Sequence, residues 1–297
     1  MGDDISYGRG VALVVSAAVM WSLMALIIRY LDGFTTWQVL FYRSLGMVPA
    51  LLFVIWRRAD GQTLAQIRAV GWPGVIGGTG LVMAFAGAIY AIQSTTVANA
   101  VFLFAASPLL TAVLAWLLLG ERVRRATWGA IALAGIGVFV MVREGLSIGA
   151  GWGNVAALIS ASGFAAFTIA LRWGRLSRMM PAVMIGGILS VLTAAAVITV
   201  RGEGFGVPAS SAALAIFMGA GVLGLGLAIY TTGSRVVPAA ELGILSMAEF
   251  ILAPLWVWLL LGEGASNGTL IGGAILLASI CLNALTGMRH RPPVLKL

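Results

Sequence analysis

Ala115-Trp116-Leu117-Leu118-Leu119-Gly120-Glu121 returns 142 residues later as Val257-Trp258-Leu259-Leu260-Leu261-Gly262-Glu263. Each copy closes a long apolar run, and the period is nearly half of the 297 residues. Internal duplication on this scale in an apolar chain is the mark of a doubled transporter fold, with a solute site where the halves meet. Further pairs keep the same register. Ala88-Ile89-Tyr90 with Ser94 answers Ala228-Ile229-Tyr230 with Ser234, and Val15-Ser16-Ala17 answers Ile159-Ser160-Ala161.

Composition sets the solvent. The chain is 61% hydrophobic and 9% charged, with a mean hydropathy of +1.04. Too few polar side chains exist to cover a water-facing surface, so most of this one faces lipid. The net charge of +8 does not signal nucleic acid, because the basic residues come in twos and threes between apolar runs. The one cysteine, Cys281, lies inside such a run and allows no disulfide within the chain. Asp3 and Asp4, followed by a long first run, argue against a cleavable signal peptide.

Runs of about 20 apolar residues cross a bilayer as helices. Ten are readable, at 11–30, 37–56, 71–91, 97–119, 127–142, 153–173, 181–200, 213–233, 239–261 and 269–286. The fold expected is an all-α integral membrane protein whose ten transmembrane helices form two inverted five-helix repeats, residues 1–146 and 147–297. Five spans is an odd number, so the second copy enters the membrane upside down.

Orientation follows from Lys and Arg, which stay on the cytoplasmic side. With the N-terminus inside, the inner segments hold Arg9, Arg57, Arg58, Arg68, Arg122, Arg124, Arg125, Arg172, Arg175, Arg178, Arg235, Arg289, Arg291 and Lys296. The outer segments hold Arg29, Arg143 and Arg201, and Arg43 falls within the second span. Both termini are expected in the cytoplasm of a multi-pass protein of a bacterial inner membrane.

Chemistry-bearing motifs are scarce. Gly219-Ala220-Gly221-Val222-Leu223-Gly224 fits a dinucleotide fingerprint, but such a motif needs a strand before it and a soluble helix after it. Here it lies inside a membrane-length run. Its small residues, like Gly80, Ala84 and Ala88 in the third span, suit close helix packing. No His or Cys cluster offers a metal site, the single His290 sits in the basic tail, and no cofactor is expected.

Ionisable groups within spans cost about 2.5–3.5 kcal/mol at the centre on insertion scales, so each calls for an explanation. Arg43 could snorkel to headgroups, pair with a carboxylate, or meet an anionic solute. Glu241 opens the ninth span and Glu249 lies nearer its middle, about 80° apart around the helix. The repeat partner of Glu249 is Ser107, beside Pro108. Pro254 follows in the ninth span, and prolines at these places suggest hinges. Neutral polar residues (Ser22, Asn99, Ser160, Ser246) share several spans with Trp21, Phe102, Phe104, Phe164, Tyr90 and Tyr230. Trp37, Trp56, Trp72, Trp128 and Trp152 instead lie at run ends and read as interfacial anchors. Aromatic faces with hydroxyls and few fixed charges suit a neutral or zwitterionic solute better than a nucleotide or sugar phosphate.

The pattern resembles the drug/metabolite transporter superfamily, and within it the ten-helix EamA-type carriers. The resemblance rests on Phe41-Tyr42-Arg43, on Tyr90-Ala91-Ile92 through Ser94-Thr95-Thr96 to Ala98, and on Ser107-Pro108. It rests also on Glu249 and on both Leu-Leu-Leu-Gly-Glu segments. One departure is Phe250, where the family usually places proline. The resemblance implies alternating access through a cavity walled by the first, third, fourth, sixth, eighth and ninth helices, and export of small metabolites. Among its members the chain looks most like aromatic amino acid exporters.

The expectation is therefore a carrier exporting amino acids or related solutes and no enzyme. Trp21, Tyr90, Asn99, Phe102, Phe164, Tyr230, Ser246 and Glu249 are expected at the cavity. Proton or gating roles fall to Glu249, Glu241 and Arg43, and hinges to Pro108 and Pro254. A carrier of purines, polyamines or drugs, and a membrane-embedded lipid-handling enzyme or scaffold, remain as alternative readings. Its oligomeric state is left open by the sequence.

Overall fold

The computed structural model describes residues 5–59, 62–147, 149–175 and 179–288. Asp3, Asp4, the Asp60-Gly61 turn, Arg178, Arg289, His290, Arg291 and Lys296 lie outside the described residues. Among those described, secondary structure is entirely helical, and ten stretches are long and apolar enough to cross a membrane. They coincide with the ten expected runs.

The spans are built from α1 (Tyr7–Tyr30), α2 (Thr36–Arg58), α4 (Gly71–Ser94), α5 (Val97–Phe104) with α6 (Ser107–Leu119), α7 (Arg125–Ser147), and α8 (Gly151–Trp173). They continue with α9 (Met179–Arg201), α10 (Ala209–Phe217) with α11 (Gly226–Gly233), α12 (Ala239–Ser246) with α13 (Ala248–Leu261), and α14 (Asn267–Met288). A short α3 (Thr63–Arg68) links the second and third spans. One end of the bundle, called the near end, holds the start of α1. The far end holds its finish.

Small residues set the packing. In lipid there is no hydrophobic drive between helices, so contact comes from close backbone approach. A Cβ built on Gly80 would lie 2.8 Å from the Gly163 carbonyl of α8, and one on Gly87 would lie 2.7 Å from that of Ala156. The Ser160 hydroxyl completes this crossing by donating to the Ala84 carbonyl at 2.7 Å. The second small-residue face meets α2 instead, where a Cβ on Gly219 would stand 1.8 Å from the Arg43 carbonyl. Both faces thus join helices from different halves of the chain, and the apparent nucleotide fingerprint is a helix crossing.

Three spans depart from plain α-helix. The fourth breaks at Ala105-Ala106 and the ninth at Met247, positions 142 apart when Ala105 is compared with Met247. At each break the hydrogen bonds tighten to three-residue closures, Ala106 N–H to Leu103 at 3.2 Å and Met247 N–H to Ile244 at 3.1 Å. Pro108 sits in the first turn of α6, where its missing N–H costs little. Pro254 lies six residues into α13, inside regular helix. The ninth span is therefore interrupted before the expected hinge, with Phe250 and no proline just after the break. The eighth span carries a π-helical stretch, Met218–Leu225, between α10 and α11.

The repeated heptapeptide has one conformation in both copies. Gly120 and Gly262 end α6 and α13 at φ of +66° and +69°, a left-handed cap that favours glycine. Of the leucines before them, Leu117, Leu118, Leu259, Leu260 and Leu261 are exposed on the outside of the bundle and Leu119 is half-buried. The glutamate after each is released from the helix and turned toward a neighbour.

Candidate functional site

The break in the ninth span places Glu249 in the first turn of α13, near the middle of the bundle. Its carboxylate has no ion pair or hydrogen bond to any described residue, and its side chain is half-buried. Ser246 lies just before the break, donating to its own helix at Leu242 over 2.8 Å. The Tyr230 phenol of α11 stands beside Ser246 and within electrostatic range of Glu249. Trp21 of α1 packs on the Tyr230 ring at 5.3 Å between centroids. The π-helical stretch bears on this geometry. Just after it comes Gly226, whose missing side chain leaves room for the indole, since a Cβ there would lie 2.5 Å from Trp21 Nε1. That Nε1 is buried and has no acceptor. One aromatic pair, one hydroxyl and one carboxylate thus meet at a helix break. Four of the eight expected cavity residues, Trp21, Tyr230, Ser246 and Glu249, are brought together here.

Phe164 stands in a second aromatic group, 5.8 Å from Phe104 and 5.9 Å from Phe167. Phe104 in turn reaches Phe250 at 6.2 Å, so the fourth, sixth and ninth spans meet in a ring cluster beside the breaks of the fourth and the ninth. Phe250 was not among the expected site residues. Its signal was its place next to Glu249.

The remaining expectations are placed elsewhere. Asn99 is buried, its amide donating to Thr95 at 3.1 Å and to Asn154 of α8. Phe102 packs against α14, where a Cβ on Gly273 would fall 2.3 Å from its ring. Both serve helix packing. Glu241 lies at the near end, accepting a hydrogen bond from the Tyr7 hydroxyl at 2.5 Å. Arg43 is 1% exposed and stacks its guanidinium 4.1 Å over the Phe85 ring. It does not snorkel to headgroups, because the tight crossing of α2 with the eighth span encloses it. Its Nε and Nη2 have no hydrogen-bond acceptor, so stacking is its compensation for burial.

Tyr90 faces the far end, where a cavity of about 690 Å³ is lined by the finish of α1, the start of α2, Gln93 and Ser94 of α4, Ile159 of α8, and Arg201 and Glu203. Polar ties secure its rim. Thr35 donates to Glu203 at 2.8 Å and Thr36 to Gln93 at 2.6 Å. Beside this cavity the repeated glutamate Glu263 forms an ion pair with Arg29 at 2.9 Å and accepts from the Val97 N–H at 2.7 Å. Arg29 also donates to the Thr95 carbonyl at 2.7 Å. At the near end Glu121, the other copy, pairs with Arg172 at 2.7 Å. Sequence reasoning passed over these pairs, although the signal was present: Arg29 and Arg172 are 143 residues apart, within one residue of the 142 between the glutamates. Among the described residues no group of three or more His, Cys, Asp or Glu could hold a metal ion.

The matches to known proteins agree with this architecture. Residues 8–143 match the model of the EamA-like transporter family. An uncharacterized transporter of Vibrio cholerae serotype O1 is 27% identical over 152 residues, which cover 47% of each chain. The chain thus spans about half the length of that curated relative. A protein of known crystal structure is similar in fold at a TM-score of 0.66, with 21% identity, over 94% of this chain and 99% of the other.

Proposed function

We propose that this chain is a membrane transporter that exports small neutral or zwitterionic metabolites, amino acids with aromatic side chains among them, by alternating access. The observation that carries the reading is the meeting of Trp21, Tyr230, Ser246 and Glu249 at the break of the ninth span. A half-buried carboxylate without a partner suits a solute ammonium, and the adjacent rings suit an apolar or aromatic side chain. Half-helices that end near the midplane are the usual material of such sites, since they bring backbone dipoles to a solute without lipid contact. The match of residues 8–143 to the EamA-like transporter family supports transport as the general activity. The arginine distribution supports a cytoplasmic near end. Two inverted repeats of five spans, 1–146 and 147–297, are supported by the breaks at Ala105 and Met247 and by the paired glycine caps.

A second reading, carriage of organic amines such as polyamines, is favoured by one feature, the unpaired Glu249 beside two aromatic rings. Purified full-length protein in proteoliposomes, offered labelled amino acids and polyamines, separates the two. Uptake of an aromatic amino acid that unlabelled amino acids suppress is expected. Flux of a polyamine with none of any amino acid would select the second reading, and flux of neither class would defeat both.

A further inference from the structure

We propose that the glutamates of the two Leu-Leu-Leu-Gly-Glu segments are the gates of one passage, each with its arginine, and that in this conformation the far gate is shut. The inference rests on the transport reading and adds to it the residues that open and close each mouth.

Both gates act on the same two spans at opposite ends. At the far end Glu263, released from α13 by the left-handed Gly262, takes the Val97 N–H at the start of α5. That contact draws the far ends of the ninth and fourth spans together, and α5 packs on α13 there. Arg29 of α1 bridges the pair, holding Glu263 through two nitrogens and the Thr95 carbonyl through one. Three spans are tied by one charge pair. Its side chains are 24% and 23% exposed.

At the near end the same parts are present but the tie is partial. Glu121, released from α6 by Gly120, is held by Arg172 of α8 alone among the described residues. The repeat counterpart of Val97 is Ala239, the first residue of α12. The pair there is 47% and 40% exposed, and it joins the fourth span to the sixth, with no tie from Glu121 to the ninth among the described residues. Because the fourth and ninth spans each break in mid-bundle, their near halves can swing while their far halves stay tied. Closing the near gate requires Glu121 to reach the start of α12. The mechanism predicts that this happens as Glu263 leaves Val97.

Accessibility of a central cysteine tests this without any solute. In the full chain carrying Cys281→Ser and Ser246→Cys, a membrane-impermeant maleimide is applied from either side, to intact cells and to inside-out vesicles. Labelling from the near side is expected, with little from the far side. Glu263→Gln or Arg29→Gln raises the far-side rate by about tenfold, the usual scale of a coupled conformational equilibrium, and the exchange Arg29→Glu with Glu263→Arg restores the parent rate. Glu121→Gln does not raise it. Unchanged far-side labelling in Glu263→Gln and Arg29→Gln overturns the proposal, as does an equal rise in Glu121→Gln. If Glu263→Gln fails to reach the membrane, Arg29→Gln cuts the same pair from the other partner. Labelling that shifts as described, together with no solute flux in the parent chain that keeps Ser246, would sink the transport reading and leave the gates standing.

Discussion

At the scale of single residues, two side chains hold most of the proposed chemistry. Glu249 sits half-buried without a partner at a helix break, where a charge is tolerated only if something meets it. Glu249→Gln keeps the shape and removes the charge. Uptake of a solute bearing an ammonium is expected to fall about tenfold to a hundredfold, the range of one charged hydrogen bond. If flux ceases to respond to an imposed pH gradient in the same variant, the carboxylate also carries a proton; an unchanged response assigns it to the solute alone. Trp21 is placed by an absence, since Gly226 has no Cβ to displace the indole. Gly226→Ala should push the ring off Tyr230 and shift the tryptophan emission. Solute affinity would fall about threefold to tenfold, the worth of an aromatic contact. Equal affinity with unshifted emission would remove Trp21 from the site.

Elements show why the sequence pattern reads as it does. The small-residue faces are crossings rather than ligand loops, and their tolerance differs by position. A Cβ on Gly219 meets the Arg43 carbonyl, a backbone atom that cannot turn away, whereas one on Gly243 meets nothing within 4 Å. Gly219→Ala should therefore separate α2 from the eighth span and cost about 1–3 kcal/mol, as overpacking does. Gly243→Ala, inside α12, should be neutral or stabilising, because alanine is the better helix former. Melting of the detergent-solubilised variants compares the two, and similar transitions would contradict the packing. The broken spans carry a related lesson. Ser107-Pro108 made the fourth-span break legible, and the register of the repeat then pointed at Glu249. Met247 carries no breaking residue of its own, so its break is a tertiary one, seated among Ala105, Ala106, Leu109 and Leu276 in the same apolar cluster.

For the whole molecule, lipid as solvent leaves few choices. The ten spans among the described residues make an even count, and ends tagged for protease or impermeant label should both be reached from the cytoplasmic side. Tags on opposite faces would end the orientation and the inversion of the repeats together. The fifth and tenth spans, α7 and α14, pack on each other along Gly137 and Gly272. This agrees with the scarcity of candidate polar residues in both runs.

Spans, their number and the doubled register were all carried by the chain itself, because hydropathy and length suffice where every backbone group must be satisfied inside a helix. The heptapeptide was legible as a repeat but not as a latch. Which side chains meet could be decided only by three-dimensional packing. Asn99 and Phe102 have the composition of site residues, yet Asn154 and Gly273 engage them. Arg29 and Glu263, 234 residues apart in the sequence, are joined because a left-handed glycine turns the glutamate back onto the fourth span. Spacing along a helix says which face a residue shares; it cannot say which of several neighbours that face will touch.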